Sequence, residues 1–321
     1  MLKMDELKNK IIKAEEAIRP FTRETPLEYS YPISKLSGCK VYLKLENNQI
    51  TGSFKARGSM NKILSLKNDN RNIVTASTGN HGLGVANALN ALNKKGTIYL
   101  PSKASPAKVE AIKQRGVQIE FHGESGEVTE KFARQLASET NQIYVSPYND
   151  EEVIAGQGTI GVELFRQLPD LDAVFVSIGG GGLIAGIATY LKSVKPEINI
   201  VGCLPANAPV MYECIKAGKV IDVPEKPTLS DGTAGGIDHD AITFEICQQL
   251  IDDYVLVSED EILSAMRLVL KEHHQVIEGS AGVSVAAILK LQDRFNGKKV
   301  AAIICGGNVS ESVLKKVICD P

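Results

Sequence analysis

The chain has 321 residues, of which 43% are hydrophobic and 23% are charged, an ordinary composition for a globular protein. Its formal net charge of -2 gives no electrostatic reason to bind nucleic acid or an anionic membrane. No apolar run reaches the length of a membrane span, and the charged N-terminal segment lacks the apolar core of a signal peptide. We therefore expect a cytoplasmic protein with one large domain or two ordinary ones. Six cysteines without a C-x-x-C pair give no sign of structural zinc or a disulfide framework.

Patterns typical of strands and helices alternate along the chain. In chain order, the runs that predict strands are KVYLKLE, NIVTAS, GTIYLP, VQIEFHG, QIYVSP, AVFVSIGGGG, INIVGCLP, DYVLVS and VAAIICGG. The helical patterns between them are TGNHGLGVANALNALN, SPAKVEAIKQRG, EVTEKFARQLASET, EEVIAGQGTIGVELFRQL, LIAGIATYLKSV, EDEILSAMRLVLKEH and SAGVSVAAILKLQDRF. This alternation favours an α/β fold with mostly parallel open sheets flanked by helices. Because the sequence contains no linker, we expect a second domain to be an insertion within the first.

Three glycine-containing segments, STGNHG, GGGG and CGGN, each follow a predicted strand. In open parallel sheets, ligands bind outside the carboxyl ends of the strands. We therefore expect these three segments to build one pocket, although they are far apart in the sequence.

The run SIGGGGLIAG, residues 177–186, places four glycines between a strand and a helix. Successive glycine amides at a helix N-terminus favour a phosphate group. Gly180, Gly182 and Ala185 also satisfy the dinucleotide pattern G-x-G-x-x-A. Binding of a dinucleotide is the alternative to binding of a single phosphate group. It is weakened because the next strand, INIVGCLP, ends without the acidic residue that would bind a ribose.

The segment STGNHG offers two hydroxyls, an amide and an imidazole at a predicted helix start. Such groups can bind a carboxylate, whereas simple capping of the helix would need only one of them. Cys305, after the last strand, is either a small buried hydrophobe or a ligand contact.

Lys55 lies in TGSFKARG, next to Phe54 and between glycines. One interpretation is an ordinary helix start capped by Ser53; the other is a lysine whose amine acts as a nucleophile. A reactive lysine, a phosphate-binding loop and a carboxylate-binding turn together indicate pyridoxal phosphate chemistry on amino acids.

The motifs TGSFKARG, STGNHG, AGQGTIGVEL, GGGGLIAGIA and CGGNV occur in this order in the fold type II pyridoxal phosphate enzymes. The chain resembles the serine/threonine dehydratases (ammonia-lyases) and serine racemase of that group over nearly its whole length. The resemblance implies a two-domain, tryptophan synthase β-like fold. A large domain of residues 1–71 and 142–321 would bind the cofactor, and a small inserted domain of residues 72–141 would close over the substrate.

The resemblance also implies roles for individual residues. Lys55 would carry the cofactor as a Schiff base and act in catalysis. The other cofactor contacts implied are Phe54, Asn80, Gly179, Gly180, Gly181, Gly182, Leu183, Glu278 and Cys305, with Cys305 facing the pyridine nitrogen and residues 179–183 around the phosphate. The substrate carboxylate would be surrounded by Ser77, Thr78, Gly79, Asn80 and His81.

Three features depart from parts of this family. Thr78 stands where racemases have a serine that acts as a second acid or base, so racemase activity remains an alternative. Leu204 and Val210 stand where metal-activated members have acids, so we expect no divalent metal at that site. The chain ends soon after CGGNVSESVLKKVICDP, without the regulatory domain of biosynthetic threonine deaminases, which favours a catabolic role.

The resulting prediction is β-elimination of L-threonine, L-serine or both, giving a 2-oxo acid and ammonia, by a protein that the family suggests is a homodimer. Alternatives within the family are a serine racemase and an ammonia-lyase for another β-hydroxy amino acid such as 3-hydroxyaspartate. Alternatives outside it are a nicotinamide dehydrogenase and a non-catalytic amino-acid-binding protein.

Overall fold

The computed structural model describes residues 4–319, whose strands form two separate sheets. The strands are β1 (Leu27–Tyr29), β2 (Lys40–Lys44), β3 (Ile73–Ala76), β4 (Gly96–Leu100), β5 (Gln118–Phe121), β6 (Ile143–Tyr144), β7 (Ala173–Ser177), β8 (Asn199–Pro205), β9 (Asp253–Val257) and β10 (Lys299–Ile303). The helices are α1 (Met4–Ile18), α2 (Tyr31–Ser37), α3 (Lys55–Ser65), α4 (Asn80–Ala91), α5 (Pro106–Lys113), α6 (Gly126–Glu139), α7 (Glu151–Gln167), α8 (Gly182–Val194), α9 (Val210–Ala217), α10 (Ile242–Leu250), α11 (Glu259–His273), α12 (Gly279–Lys290) and α13 (Glu311–Cys319). None of the helices within residues 4–319 is long and apolar enough to cross a membrane.

The larger sheet has six strands in the order β1-β2-β10-β7-β8-β9. All of its neighbouring strands are parallel except β1 and β2. The sequence analysis missed β1, because three residues at a sheet edge are too few to show an alternating pattern. The central strand β7 is buried along its whole length, as expected for a parallel strand covered by helices on both faces.

The smaller sheet has four parallel strands in the order β5-β4-β3-β6. Its strands run from Ile73 to Tyr144, so β6 lies just beyond the bounds proposed for the inserted domain. The two parallel sheets with their flanking helices confirm the predicted α/β fold class. The division into domains at residues 72 and 141 stays a prediction.

The largest apolar core surrounds the six-stranded sheet and includes Phe175 of β7 together with side chains of β2, α8 and α12. Helices α3 and α7 pack closely enough that a Cβ on Gly156 would lie 2.6 Å from the Cα of Gly58. Glycine at both positions therefore allows the two backbones to touch. This contact fixes the position of α3, whose first residue is Lys55.

Candidate active site

The carboxyl ends of β3, β7 and β10 face a single cleft of about 1430 Å³ between the two sheets. The three glycine-containing segments that follow these strands all line it, which confirms that they converge. The site residues named from the sequence that line the cleft are Phe54, Lys55, Ser77, Thr78, Gly79, Asn80, His81, Gly179, Gly180, Gly181, Gly182, Leu183, Glu278 and Cys305. Their individual roles remain predictions.

Three helices begin at the cleft without a side-chain cap. The N-cap residues of α3, α4 and α8 are Phe54, Gly79 and Gly181, none of which has a side chain that can accept a hydrogen bond. Ser53 is therefore not the cap of α3, contrary to that interpretation of the sequence, and no residue of STGNHG caps α4 through its side chain. Uncapped helix N-termini leave backbone N–H groups available for an anionic ligand.

The amine of Lys55 lies at the start of α3 and donates a 2.7 Å hydrogen bond to the carbonyl oxygen of Pro147. It also lies 5.2 Å from the ring centroid of Phe54. Burial lowers the pKa of Lys55 to about 8, although the charge of Glu278 acts in the opposite direction. The neutral form that a nucleophile or a base requires is therefore far more populated near neutral pH than in an ordinary lysine.

A buried ion network holds the start of α3. The guanidinium of Arg57, two residues after Lys55, donates to both oxygens of Glu46 at 2.8 Å and to both oxygens of Glu163 at 2.7 and 2.9 Å. Lys44 donates to Glu163 at 2.6 Å, and all four side chains are fully buried. These bonds attach α3 to the end of β2 and to α7, and so fix where Lys55 stands.

The four glycines after β7 form a cradle of backbone atoms. Gly181 adopts a φ of +86°, a conformation that favours glycine. A Cβ on Gly180 would lie 2.3 Å from the ring of Tyr148, and one on Gly179 would lie 2.9 Å from Thr233. The cradle therefore has no room for side chains, and its free amides at the start of α8 suit a phosphate group.

Glu278 is nearly fully buried beside the cleft and accepts hydrogen bonds from Asn80. Burial raises the pKa of its carboxyl to about 7, although the bonds from Asn80 favour the charged form. The oxygen of the Asn80 amide accepts from Asn308 at 2.7 Å. Both ends of the Asn80 amide are therefore hydrogen-bonded, and its expected contact with the cofactor stays a prediction.

Cys305 is 2% exposed and lies at the same end of the six-stranded sheet. Ser177 donates to its sulfur at 3.6 Å, and the thiol lies 3.8 Å from an oxygen of Glu278. Burial raises the pKa of the Cys305 thiol well above its ordinary value, so the group is neutral at neutral pH.

The imidazole of His81 is buried, and its Nε2 lies 3.0 Å from the carbonyl oxygen of Val145. Since a carbonyl only accepts, Nε2 carries the hydrogen and donates there. Burial lowers the pKa of His81 to about 3, which keeps the ring neutral. The side chain is thus bound to the backbone, and its contact with a substrate carboxylate stays a prediction.

The sequence analysis missed a group of cleft residues on α6 and in the segment before α10. Arg134 donates to Glu130 at 2.7 Å and to Asp238 at 3.1 Å. The hydroxyl of Tyr148 accepts from the backbone N–H of Asp238 at 2.8 Å. In the sequence, the charges of α6 are typical of a solvated helix face, so no local signal distinguishes them.

The fold and the cleft define a pyridoxal phosphate enzyme. The family model described as pyridoxal-phosphate dependent enzyme matches residues 18–306, and the chain belongs to that family. The residues fit this cofactor, since the cleft combines a buried amine of lowered pKa with a glycine cradle of free amides. Pyridoxal phosphate is accordingly the cofactor of this protein.

Particular relatives are similar over most of the chain. An L-threonine ammonia-lyase of Thermotoga maritima is 38% identical over 99% of this chain and 78% of its own length. The processed form of threonine deaminase isoform 2 from Solanum lycopersicum superposes with a TM-score of 0.93 at 33% identity, covering 99% of this chain and 94% of its own. Maize serine racemase superposes with a TM-score of 0.90 at 32% identity, covering 95% and 94%.

Proposed function

We propose that this protein is an ammonia-lyase that converts L-threonine, L-serine or both to a 2-oxo acid and ammonia. The observation that carries the proposal is the amine of Lys55, whose lowered pKa and position in the cleft suit proton transfer at an amino acid. The similarity to an L-threonine ammonia-lyase and to a threonine deaminase supports the same reaction class.

In the proposed reaction, Lys55 binds the cofactor, and residues 179–183 hold its phosphate. When bound, pyridoxal phosphate supplies an electron sink that makes the α-proton of an amino acid acidic. Once the substrate amine has displaced Lys55 from the cofactor, the freed neutral amine of Lys55 would take that proton and, once protonated, could give a proton to the departing β-hydroxyl as water leaves. The enamine that is released then hydrolyses to the 2-oxo acid and ammonia.

Residues around the cleft would place the substrate for this proton transfer. The segment 77–81 would hold the substrate carboxylate at the uncapped start of α4. Closure of residues 72–141 over the substrate would exclude water from the reacting groups.

A homodimer and a cytoplasmic location also remain proposals. Light scattering coupled to size-exclusion chromatography tests whether the protein is a homodimer.

The direct test is release of 2-oxo acid from L-serine, L-threonine, D-serine and 3-hydroxyaspartate by the cofactor-loaded enzyme. We expect pyruvate from L-serine or 2-oxobutyrate from L-threonine. The Lys55→Ala variant should lose the absorbance of the bound cofactor and the activity together, whereas Lys62→Ala in the same helix should keep both. Absence of 2-oxo acid from every substrate would reject the proposal.

A second candidate is serine racemase activity, favoured by the presence of Thr78 in the cleft and by the similarity to maize serine racemase. The hydroxyl of Thr78 would be the second acid or base for the proton at Cα. Chiral analysis of the serine left after reaction tests this. D-serine that accumulates faster than pyruvate and disappears in Thr78→Ala would establish the racemase; lyase activity without D-serine would make Thr78 a substrate contact only.

A further inference from the structure

Three charged side chains, Glu130, Arg134 and Asp238, line one part of the cleft. Together with Tyr144, which contacts two of them, we call them the Arg134 cluster. Arg134 donates to Glu130 through Nη2 and Nε at 2.7 and 3.1 Å, and to Asp238 at 3.1 Å. The side chains of the ion-paired members are each between 24% and 34% exposed, so the cluster is accessible from the cleft but partly desolvated.

Neighbouring groups hold the Arg134 cluster in this arrangement. The guanidinium of Arg134 lies 4.6 Å from the ring centroid of Tyr144, whose hydroxyl donates to Glu130 at 3.2 Å. The side-chain amide of Asn149 donates to Asp238 at 3.1 Å. One guanidinium is therefore fixed between two carboxylates, and the cluster carries a formal charge of -1.

The cleft as a whole, with the Arg134 cluster included, is formally negative. Among residues 4–319, eight carboxylates and four basic groups line it, which is a formal excess of four negative charges. The carboxylates are Glu127, Glu130, Asp222, Glu225, Asp231, Asp238, Glu278 and Glu311, and the basic groups are Lys55, Lys108, Lys131 and Arg134. Uncapped helix starts and glycine amides can bind the phosphate and one carboxylate. A further anion would meet net repulsion.

Two members of the Arg134 cluster influence the pKa values of other cleft side chains. The charge of Glu130 contributes to the pKa of Lys55, and the charge of Arg134 contributes to that of His81. A charged group on a substrate held beside Lys55 is therefore within the range of these side chains. Arg134 would be the natural partner of an acidic substrate side chain, but two carboxylates already offset its charge, and Glu130 and Asp238 accept from its Nε and Nη2.

We propose that the Arg134 cluster makes the cleft select neutral amino-acid side chains and reject acidic ones, with Asp238 as the residue that keeps Arg134 occupied. Asp238 is a specificity-determining residue on this account, not a catalytic one. The inference rests on the proposed function, since it names the substrate class of the same site. It removes 3-hydroxyaspartate from the candidate substrates and leaves serine and threonine.

L-asparagine and L-aspartate provide the test, because they are nearly the same size and lack a β-hydroxyl to eliminate. Titration calorimetry on the cofactor-loaded enzyme should show that L-asparagine binds about tenfold more tightly than L-aspartate. Asp238→Asn keeps the size of the side chain and removes its charge. It should reduce the ratio of the dissociation constants of L-aspartate and L-asparagine by about tenfold. Asp240→Asn is the matched control, since Asp240 is exposed, contacts the same Asn149 at 3.4 Å and lies outside the cleft lining.

The double variant Asp238→Asn with Arg134→Gln identifies the cation. It should lose the gain in L-aspartate binding, because the freed guanidinium is the group that would bind the acid. Equal binding of the two ligands by the unaltered enzyme, or an unchanged ratio in Asp238→Asn, would overturn the inference. So would faster turnover of 3-hydroxyaspartate than of L-serine. A binding ratio that shifts as expected in an enzyme that releases no 2-oxo acid would instead reject the proposed function and leave the charge selection standing.

Discussion

The side-chain nitrogen of Asn80 donates to both carboxylate oxygens of Glu278, at 3.0 and 2.9 Å. Asn80 begins α4, directly after the loop from the four-stranded sheet, and Glu278 is the N-cap of α12 beside the six-stranded sheet. This hydrogen bond therefore connects the two halves of the cleft. It also holds a carboxylate whose pKa is raised by burial next to the reactive amine of Lys55.

The raised pKa of Glu278 predicts a pH dependence of stability. Because its pKa is about 7 in the folded protein and 4.5 ordinarily, the folded state binds more protons between these values. Ionisation of Glu278 thus lowers the free energy of unfolding as pH rises from 4.5 to 7, and the loss is complete above pH 7. Relative to Glu278→Gln, the unaltered protein should lose about 2 to 3 kcal/mol over this range.

Urea unfolding of both proteins from pH 4 to 8 measures this difference. The curve of Glu278→Gln should be flatter between pH 4.5 and 7, since glutamine does not titrate. Parallel curves for the two proteins would contradict the raised pKa.

The lowered pKa of Lys55 predicts enhanced reactivity near neutral pH. After removal of the cofactor, trace acetylation with acetic anhydride should label Lys55 with a midpoint near pH 8 rather than near 10.5, because burial favours the neutral amine. Mass spectrometry of the peptide that contains Lys55 follows the labelling across pH. A midpoint near 10.5 would mean that the amine is not desolvated.

The glycine cradle predicts a steric effect on cofactor binding. In Gly180→Ala the new Cβ would lie 2.3 Å from the ring of Tyr148, so the ring must move. We expect a loss of stability of about 1–3 kcal/mol and weaker binding of pyridoxal phosphate in an absorbance titration. Gly236→Ala is the matched control, because within the described part of the chain no atom lies within 4 Å of its Cβ. Equal affinity for pyridoxal phosphate in both variants would contradict the inference that the cradle has no room for a side chain at Gly180.

The buried ion network predicts a large effect of Arg57. Arg57→Ala leaves Glu46 and Glu163 without their main partner, and should cost about 3–5 kcal/mol of unfolding free energy. Arg71→Ala breaks an ion pair with Asp69 at the surface and should change the unfolding free energy little. Chemical denaturation measures both. Similar losses in the two variants would show that the network does not bear on stability.

Much of the fold was predictable from local patterns. Every strand except β1 coincides with an apolar run in the sequence, because a buried parallel strand needs apolar side chains along its length. Helices α2, α9, α10 and α13 were not predicted, since they are short and give only a few turns in which an apolar stripe can repeat.

Some parts of the candidate site follow from short stretches of sequence, and others depend on residues that are distant in the sequence. Lys55 and the glycines around Gly181 belong to motifs of residues adjacent in the chain and could be located from the sequence, although the N-cap of α3 could not. The pairing of Arg134 with Asp238 joins positions 104 residues apart, and that of Asn80 with Glu278 joins positions 198 apart. Neither pairing has a local signal, because such contacts depend on how the two sheets face each other.

The sequence by itself determined the α/β class and the location of Lys55, of the four glycines after β7 and of the strand ends at which they meet. These follow from the period of apolar residues and from the backbone freedom of glycine, which are properties of short segments. The tertiary structure alone decided the pKa values of Lys55 and Glu278, the neutral state of Cys305 and the pairing of Arg134 with two acids. Burial and Coulomb interactions depend on atoms brought together from distant parts of the chain, so they exist only once the chain has folded.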